Sequence, residues 1–182
     1  MRWLWIDRFV EFVSGKYAVS IKNVTTVEEA LDHYLPHFPM FPPSLLIEGI
    51  AQTGGLLVSE QHGFRERVVL AKVAKALFRR PVVPGEQLRY EVHLKDQNPH
   101  GALVHATASI NGQPAAEVEL MFAHLDERFP DELFTAEELY QLLVLYRLFE
   151  VGRTVDGRPL PIPEIFEPFI EHRSQDSNKR SP

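Results

Sequence analysis

Cysteine is absent from the 182 residues. That excludes disulfides, a thiolate nucleophile and any cysteine-ligated zinc or iron–sulfur centre. It fits a reducing compartment, and the cytoplasm is the expected location. Long hydrophobic runs are missing too. No stretch approaches the ~20 apolar residues of a membrane-spanning helix, so no membrane partner is expected. The opening MRWLWIDRFVEF is apolar, but Asp7, Arg8 and Glu11 interrupt it and it carries no small-residue cleavage site. It is not expected to act as a leader. Positive charge is in short supply: 19 Lys and Arg stand against 25 Asp and Glu, a formal net charge of −6. Nucleic acid is therefore not an expected partner.

What is present is enough for a core, with 45% hydrophobic residues and an ordinary 24% charged. Trp3 to Phe12 reads as a segment leading into a strand, and Ser14-Gly15 as a turn. Tyr17, Val19 and Ile21 alternate with Ala18, Ser20 and Lys22, the period of a half-buried strand. Thr26 to Tyr34 suits a short helix. Pro36, Pro39, Pro42 and Pro43 forbid regular helix until the last of them. From Ser44 to about Gln61 the chain is proline-free and apolar on nearly every face, the mark of a buried helix. Gly49, Gly54 and Gly55 weaken that helix unless neighbouring groups must come close. From Val68 the pattern is strands, with turns at Pro84-Gly85, at Asp96 to Gly101 and at Asn111-Gly112, a hairpin dipeptide. The composition shifts after Asp126. Thr135 to Glu138 forms a capping-box pattern, and a helical stripe follows through Leu139, Leu142, Leu143, Tyr146 and Phe149, with Gly152 as its C-cap. The end, SQDSNKRSP, is polar. This order predicts an α+β fold with one antiparallel sheet about one long buried helix.

The chemistry concentrates between Tyr34 and Gly55. A proline-bent loop holds His37, and the apolar helix after it holds Glu48. A titratable base near a carboxyl group in apolar surroundings suits acid–base catalysis at neutral pH. His33 and His37 are four apart, but Pro36 keeps them off a common helical face, so no metal site is expected there. Gly54-Gly55 follows no strand and is read as helix packing rather than a phosphate loop. Lys72, Lys75, Arg79 and Arg80 form the one basic concentration in an acidic chain.

Four blocks in one order carry a resemblance: WIDRF, then HFPM…LLIEGIAQTGG, then ALFRRPVVPGEQLRYEV, then NGQPAAEVEL. Over roughly residues 5 to 125 the chain resembles the hot-dog-fold 3-hydroxyacyl-[acyl-carrier-protein] dehydratases of type II fatty acid synthesis. The resemblance implies a hot-dog domain over 1–126; outside it, the composition shift and the helical stripe predict a C-terminal helical extension over 127–172, and the polar end a disordered tail over 173–182. It implies dehydration of (3R)-3-hydroxyacyl thioesters to trans-2-enoyl thioesters. His37 would be the catalytic base. Glu48, supplied by the neighbouring subunit of a homodimer, would be the catalytic acid, and Gln52 a supporting residue one helical turn on.

Two positions depart from the family's pattern. Met40 and Pro43 stand where glycines are usual, and only ten residues separate His37 from Glu48. Pro43 has no N–H to polarise the thioester carbonyl, which leaves the Ser44 N–H as candidate donor. No cofactor is implied, since phosphopantetheine arrives with the substrate. The implied partners are an acyl carrier protein or a CoA thioester, the former docking on Lys72, Lys75, Arg79 and Arg80. Trimers of dimers are the alternative assembly. The alternative functions are a non-catalytic acyl-thioester-binding protein and a thioesterase in which Glu48 activates water.

Overall fold

The computed structural model describes residues 4–28, 30–31, 37–125 and 135–170. The expected tail over 173–182, residues 127–134 of the expected extension, and residues 29 and 32–34 of the expected helix over 26–34 lie outside these residues. Ala30 and Leu31 of that last segment are helical.

One sheet organises the chain. Its strands are β1 (Arg8–Val13), β2 (Tyr17–Asn23), β3 (Arg67–Phe78), β4 (Gln87–Asn98), β5 (Gly101–Ile110), β6 (Gln113–Leu125) and the short β7 (Gly152–Arg153). The order across the sheet is β3-β6-β5-β4-β2-β1-β7. Every neighbour is antiparallel except β7, which runs parallel to β1. A long helix, α1 (Pro43–Glu60), packs against this sheet. This is the α+β arrangement expected from the order of elements and the hot-dog fold that the family resemblance implies.

The strand alternation explains the packing. Leu88, Tyr90 and Val92 of β4, Val104, Ala106 and Ala108 of β5, and Val118, Leu120 and Phe122 of β6 are all buried. The Asn111-Gly112 turn has positive φ at both residues, 50° and 77°, as a twisted two-residue hairpin requires. The β4–β5 turn is tighter than the sequence pattern suggests, because pairing continues to Asn98 and Gly101 across a bulge between Leu94 and Asp96. Extending the ladder satisfies backbone groups that an open turn would leave to water. β2 also differs from expectation. It is not half-buried: Ala18 through Lys22 are all buried. Ser20 turns toward α1, where its hydroxyl meets Thr53 Oγ1 at 2.6 Å while Thr53 donates to the Gly49 carbonyl at 2.8 Å. Lys22 bridges Glu28 at 2.5 Å.

α1 begins at Pro43, where a missing N–H costs nothing. Ile50, Leu57 and Val58 are fully buried. Gly49 is the close-approach point that the sequence anticipates. A Cβ there would lie 2.7 Å from the Tyr90 ring and 2.8 Å from the Trp5 carbonyl oxygen.

The C-terminal segment packs on the β1 edge. α2 (Ala136–Leu145) starts with the expected capping box: Glu138 N–H donates to Thr135 Oγ1 at 3.2 Å, and Thr135 N–H to the Glu138 carboxylate at 3.0 Å. The stripe predicts one helix through Phe149, but α2 stops short. Arg147 is left-handed, with φ at 58°, and α3 (Leu148–Val151) restarts beyond it. The Phe9 N–H, on the β1 edge, donates to the Tyr146 carbonyl at 2.9 Å and takes the acceptor that a continuing helix would use. Gly152 ends α3, as expected, in extended conformation and leads directly into β7. Tyr140, Phe149 and Phe166 form an aromatic cluster that reaches Phe64, just beyond α1. No helix among the described residues is long and apolar enough to cross a membrane.

Gly49→Ala should destabilise the fold by about 1–3 kcal/mol through overpacking, despite its better helix propensity. Urea denaturation checks this. An unchanged midpoint would show that the α1–β4 contact yields to a methyl group.

Candidate active site

Glu48 sits in the second turn of α1, half-buried, with Gln52 one turn further on the same face. Gln52 Nε2–H donates to Glu48 Oε1 at 3.0 Å. The amide cannot be turned over freely, because Gln52 Oε1 accepts from the Trp5 backbone N–H at 2.9 Å. A backbone N–H is an obligate donor, so the oxygen must face Trp5 and the NH2 must face the carboxyl. The Tyr146 hydroxyl approaches the same Oε1 at 3.5 Å. Burial pushes the Tyr146 phenol well above its ordinary pKa, with the charges of Asp7 and Glu48 acting the same way. It therefore stays a neutral donor. Glu48 Oε1 is thereby held, and Oε2 has no hydrogen-bond partner among the described residues.

Ser44 lies in the first turn of α1 and is exposed. Pro43 has no N–H, and the N–H groups of Leu45 and Leu46 both donate to the Pro42 carbonyl, at 3.0 and 3.2 Å. The Ser44 N–H is thus the first-turn donor with no partner among the described residues, at the positive end of the helix dipole. His37 is exposed on the loop before α1 with φ at 88°, a left-handed conformation for a non-glycine residue. It makes no hydrogen bond or ion pair with Glu48 of its own chain among the described residues. His33, its neighbour in sequence, lies outside them.

An open cleft of about 310 Å³ begins at the head of α1, walled by Met40, Phe41, Pro43, Leu46 and Phe78 with Arg80 at its rim. The basic group divides. Arg79 is engaged with Glu117, with its Nε at 3.0 Å, and Arg80 forks onto both oxygens of Glu86 at 2.8 and 3.2 Å. Lys72 and Lys75 are exposed on β3 and have no ion-pair partner among the described residues.

Glu48 stands out in the sequence as a carboxyl group in an apolar helix and Gln52 through the family resemblance, whereas Trp5 and Tyr146 are not marked there as site residues. The signal for Tyr146 is a phenol set in an otherwise aliphatic stripe, whose hydroxyl needs a partner once buried.

The comparisons agree with this architecture. Among solved structures, the chain is similar to the conserved protein PA5202 from Pseudomonas aeruginosa, with a TM-score of 0.54 at 20% identity, over 65% of this chain and 87% of that one. It is also similar to the dehydratase heterocomplex ApeI:P from Xenorhabdus doucetiae, with a TM-score of 0.59 at 16% identity, over 78% and 90% of the two chains. These likenesses establish the fold. The FabA-like domain model matches residues 1–119, and the chain belongs to that family. Its relatives include the 3-hydroxyacyl-[acyl-carrier-protein] dehydratase FabZ of Desulforamulus reducens, 42% identical over 66% of this chain and 85% of the relative. The protein of the same name from Janthinobacterium sp. (strain Marseille) is 40% identical over 65% and 78%.

The Arg80 guanidinium holds the Glu86 carboxyl below its ordinary pKa against a desolvation effect, and the Val83 N–H adds to the lowering. A depressed folded pKa adds stability above the unfolded value of ~4.3, and that contribution is lost as pH falls through the folded value. Arg80→Ala should therefore cost up to about 1 kcal/mol at pH 7 and progressively less below pH ~4. Urea midpoints across pH test this, and a gap that widens in acid would contradict it.

Proposed function

We propose that the protein dehydrates (3R)-3-hydroxyacyl thioesters, carried by an acyl carrier protein, to trans-2-enoyl thioesters in fatty acid biosynthesis. The observation that carries this reading is the FabA-like match over residues 1–119, which takes in His37, Ser44, Glu48 and Gln52. The Gln52–Glu48 hydrogen bond supports it, since it leaves one carboxyl oxygen oriented and unoccupied.

In this mechanism the His37 imidazole removes the C2 proton, which the adjacent thioester carbonyl makes acidic. The carbonyl oxygen gains negative charge and is met by the Ser44 N–H at the head of α1. The C3–O bond then breaks, and the departing hydroxide takes the proton of the Glu48 carboxyl from Oε2 to leave as water. The enoyl product retains the thioester. Gln52, Trp5 and Tyr146 act as positioning groups that fix Oε1. No redox or metal cofactor enters these steps, and phosphopantetheine comes with the substrate. The apolar cleft at Phe41 and Leu46 receives the carrier arm.

The His37 that serves Glu48 comes from a second copy. β3 offers a twelve-residue edge with no neighbour among the described residues, bearing exposed Leu70, Val73, Leu77 and Phe78. A long apolar edge recruits another strand, so the β3 edges pair in a homodimer, with a trimer of dimers as the larger form. Lys72 and Lys75, beside Arg79 and Arg80 at the cleft rim, meet the acidic carrier. The compartment that fits this chemistry and a cysteine-free chain is the cytoplasm.

Hydration of a crotonyl thioester, followed by loss of enoyl absorbance, tests the reaction in reverse. Turnover is expected, with a fall of about 10²–10⁴-fold in His37→Ala. No turnover above background, or turnover indifferent to that substitution, overturns the reading.

A further inference from the structure

The far end of α1 carries a second set of chemically active side chains, separate from the proposed reaction. His62 lies in the turn after the helix, Glu66 just before β3, and His124 near the end of β6, where it pairs with Val68. At ~1.5 Å of rise per residue, Glu48 and His62 are about 20 Å apart along the axis. The two imidazoles converge on one carboxylate. His62 Nδ1 is 3.1 Å from Glu66 Oε1, and His124 Nδ1 is 2.5 Å from Glu66 Oε2. One ligand atom from each of the three lies within 4.8 Å of the others, and this is the one such group among the described residues.

We propose that His62, Glu66 and His124 form a binding site for a divalent transition-metal ion of the zinc type. Two imidazoles and a carboxylate with a fourth position open to water is a recognised zinc donor set. The two imidazole nitrogens select zinc, cobalt, nickel or copper over magnesium and calcium. Tetrahedral bonds of ~2.1 Å place neighbouring ligand atoms about 3.4 Å apart, near the His62–Glu66 separation of 3.1 Å. The shorter His124–Glu66 contact opens by rotation of the Glu66 side chain, which is 42% exposed and free to turn.

The rest of the site is already set. The His124 side chain is only 6% exposed, its Nε2 has no partner among the described residues, and its polar contact is Glu66. The two rings meet edge to face at 5.1 Å. The Gln97 amide touches His62 Nε2 at 3.0 Å. Turned to present its oxygen, it accepts Nε2–H and leaves the Nδ1 lone pair for the ion, as outer groups around zinc histidines do. The turn itself is pinned, since the N–H groups of His62 and Phe64 both donate to the Ser59 carbonyl, at 3.1 and 3.0 Å. A bound ion would tie the C-terminal end of α1 to β3, β6 and the tip of β4. No metal site is expected from the sequence, where the two histidines stand 62 positions apart.

The test is titration of the chelator-stripped protein with Zn²⁺ against a chromophoric competitor, and with Co²⁺ read by its visible absorption. We expect one equivalent per chain, intense low-coordinate Co²⁺ bands, and a melting temperature that rises with Zn²⁺. Glu66→Gln and His62→Gln should each abolish all three while leaving the melting temperature in EDTA nearly unchanged. His105→Gln, which alters the histidine of another surface ion pair, should leave all three intact. Substoichiometric Zn²⁺ binding by the unaltered protein overturns the proposal. So does binding that survives both Glu66→Gln and His62→Gln, or that disappears in His105→Gln. Should a variant fail to fold, the Co²⁺ spectrum of the unaltered protein decides: octahedral bands, without nitrogen ligation, contradict the site.

Discussion

The direction of one side-chain amide underlies the site. Gln52 Oε1 faces the Trp5 N–H, and this turns Nε2 toward Glu48. Both ends of the amide are therefore committed, one to the strand-leading segment and one to the acid. A carboxyl group fixed at one oxygen can present the other in a constant direction, which is what proton delivery to a departing hydroxide needs. The requirement reaches back into the packing. Trp5 can approach only because Gly49, on the facing turn of α1, has no side chain to hold it off.

The C-terminal segment joins this arrangement rather than merely covering it. It lies beyond residue 119, where the family match ends. Tyr146 nevertheless places its carbonyl on the Phe9 N–H and its hydroxyl near Gln52 Oε1. β7 extends the sheet beside β1, and Phe166 packs on Phe64 beyond the C-terminal end of α1. The buried apolar cluster runs without a break from Trp5 through Tyr140, Tyr146 and Phe166. The extension thus braces the middle of the helix that carries Glu48 and the turn beyond its C-terminal end.

Most of the fold was legible because local rules and tertiary packing agree. Alternation marks β4, β5 and β6, Asn111-Gly112 marks their last hairpin, and Pro43 marks the head of α1. Legibility fails where a distant partner decides. The Tyr146 carbonyl goes to β1, and a helix that its own stripe would carry to Phe149 breaks at Arg147. β2 is covered on both faces, which its period of two does not report. In the site, Glu48 and Gln52 are readable as neighbours on one helix. The orienting donors are not, because Trp5 and Tyr146 stand 47 and 94 residues away from Gln52. The His62, Glu66 and His124 cluster is hidden for the same reason: a strand pairing, not a spacing, brings it together.

The central claim is that Glu48, fixed by Gln52, works with His37 of the partner subunit. Co-refolding His37→Ala chains with Glu48→Gln chains, each inactive alone, tests this most directly. Random pairing in a two-fold dimer gives half heterodimers, each with one intact site of two, so activity should return to about a quarter of normal. A mixture as inactive as its components would contradict the account.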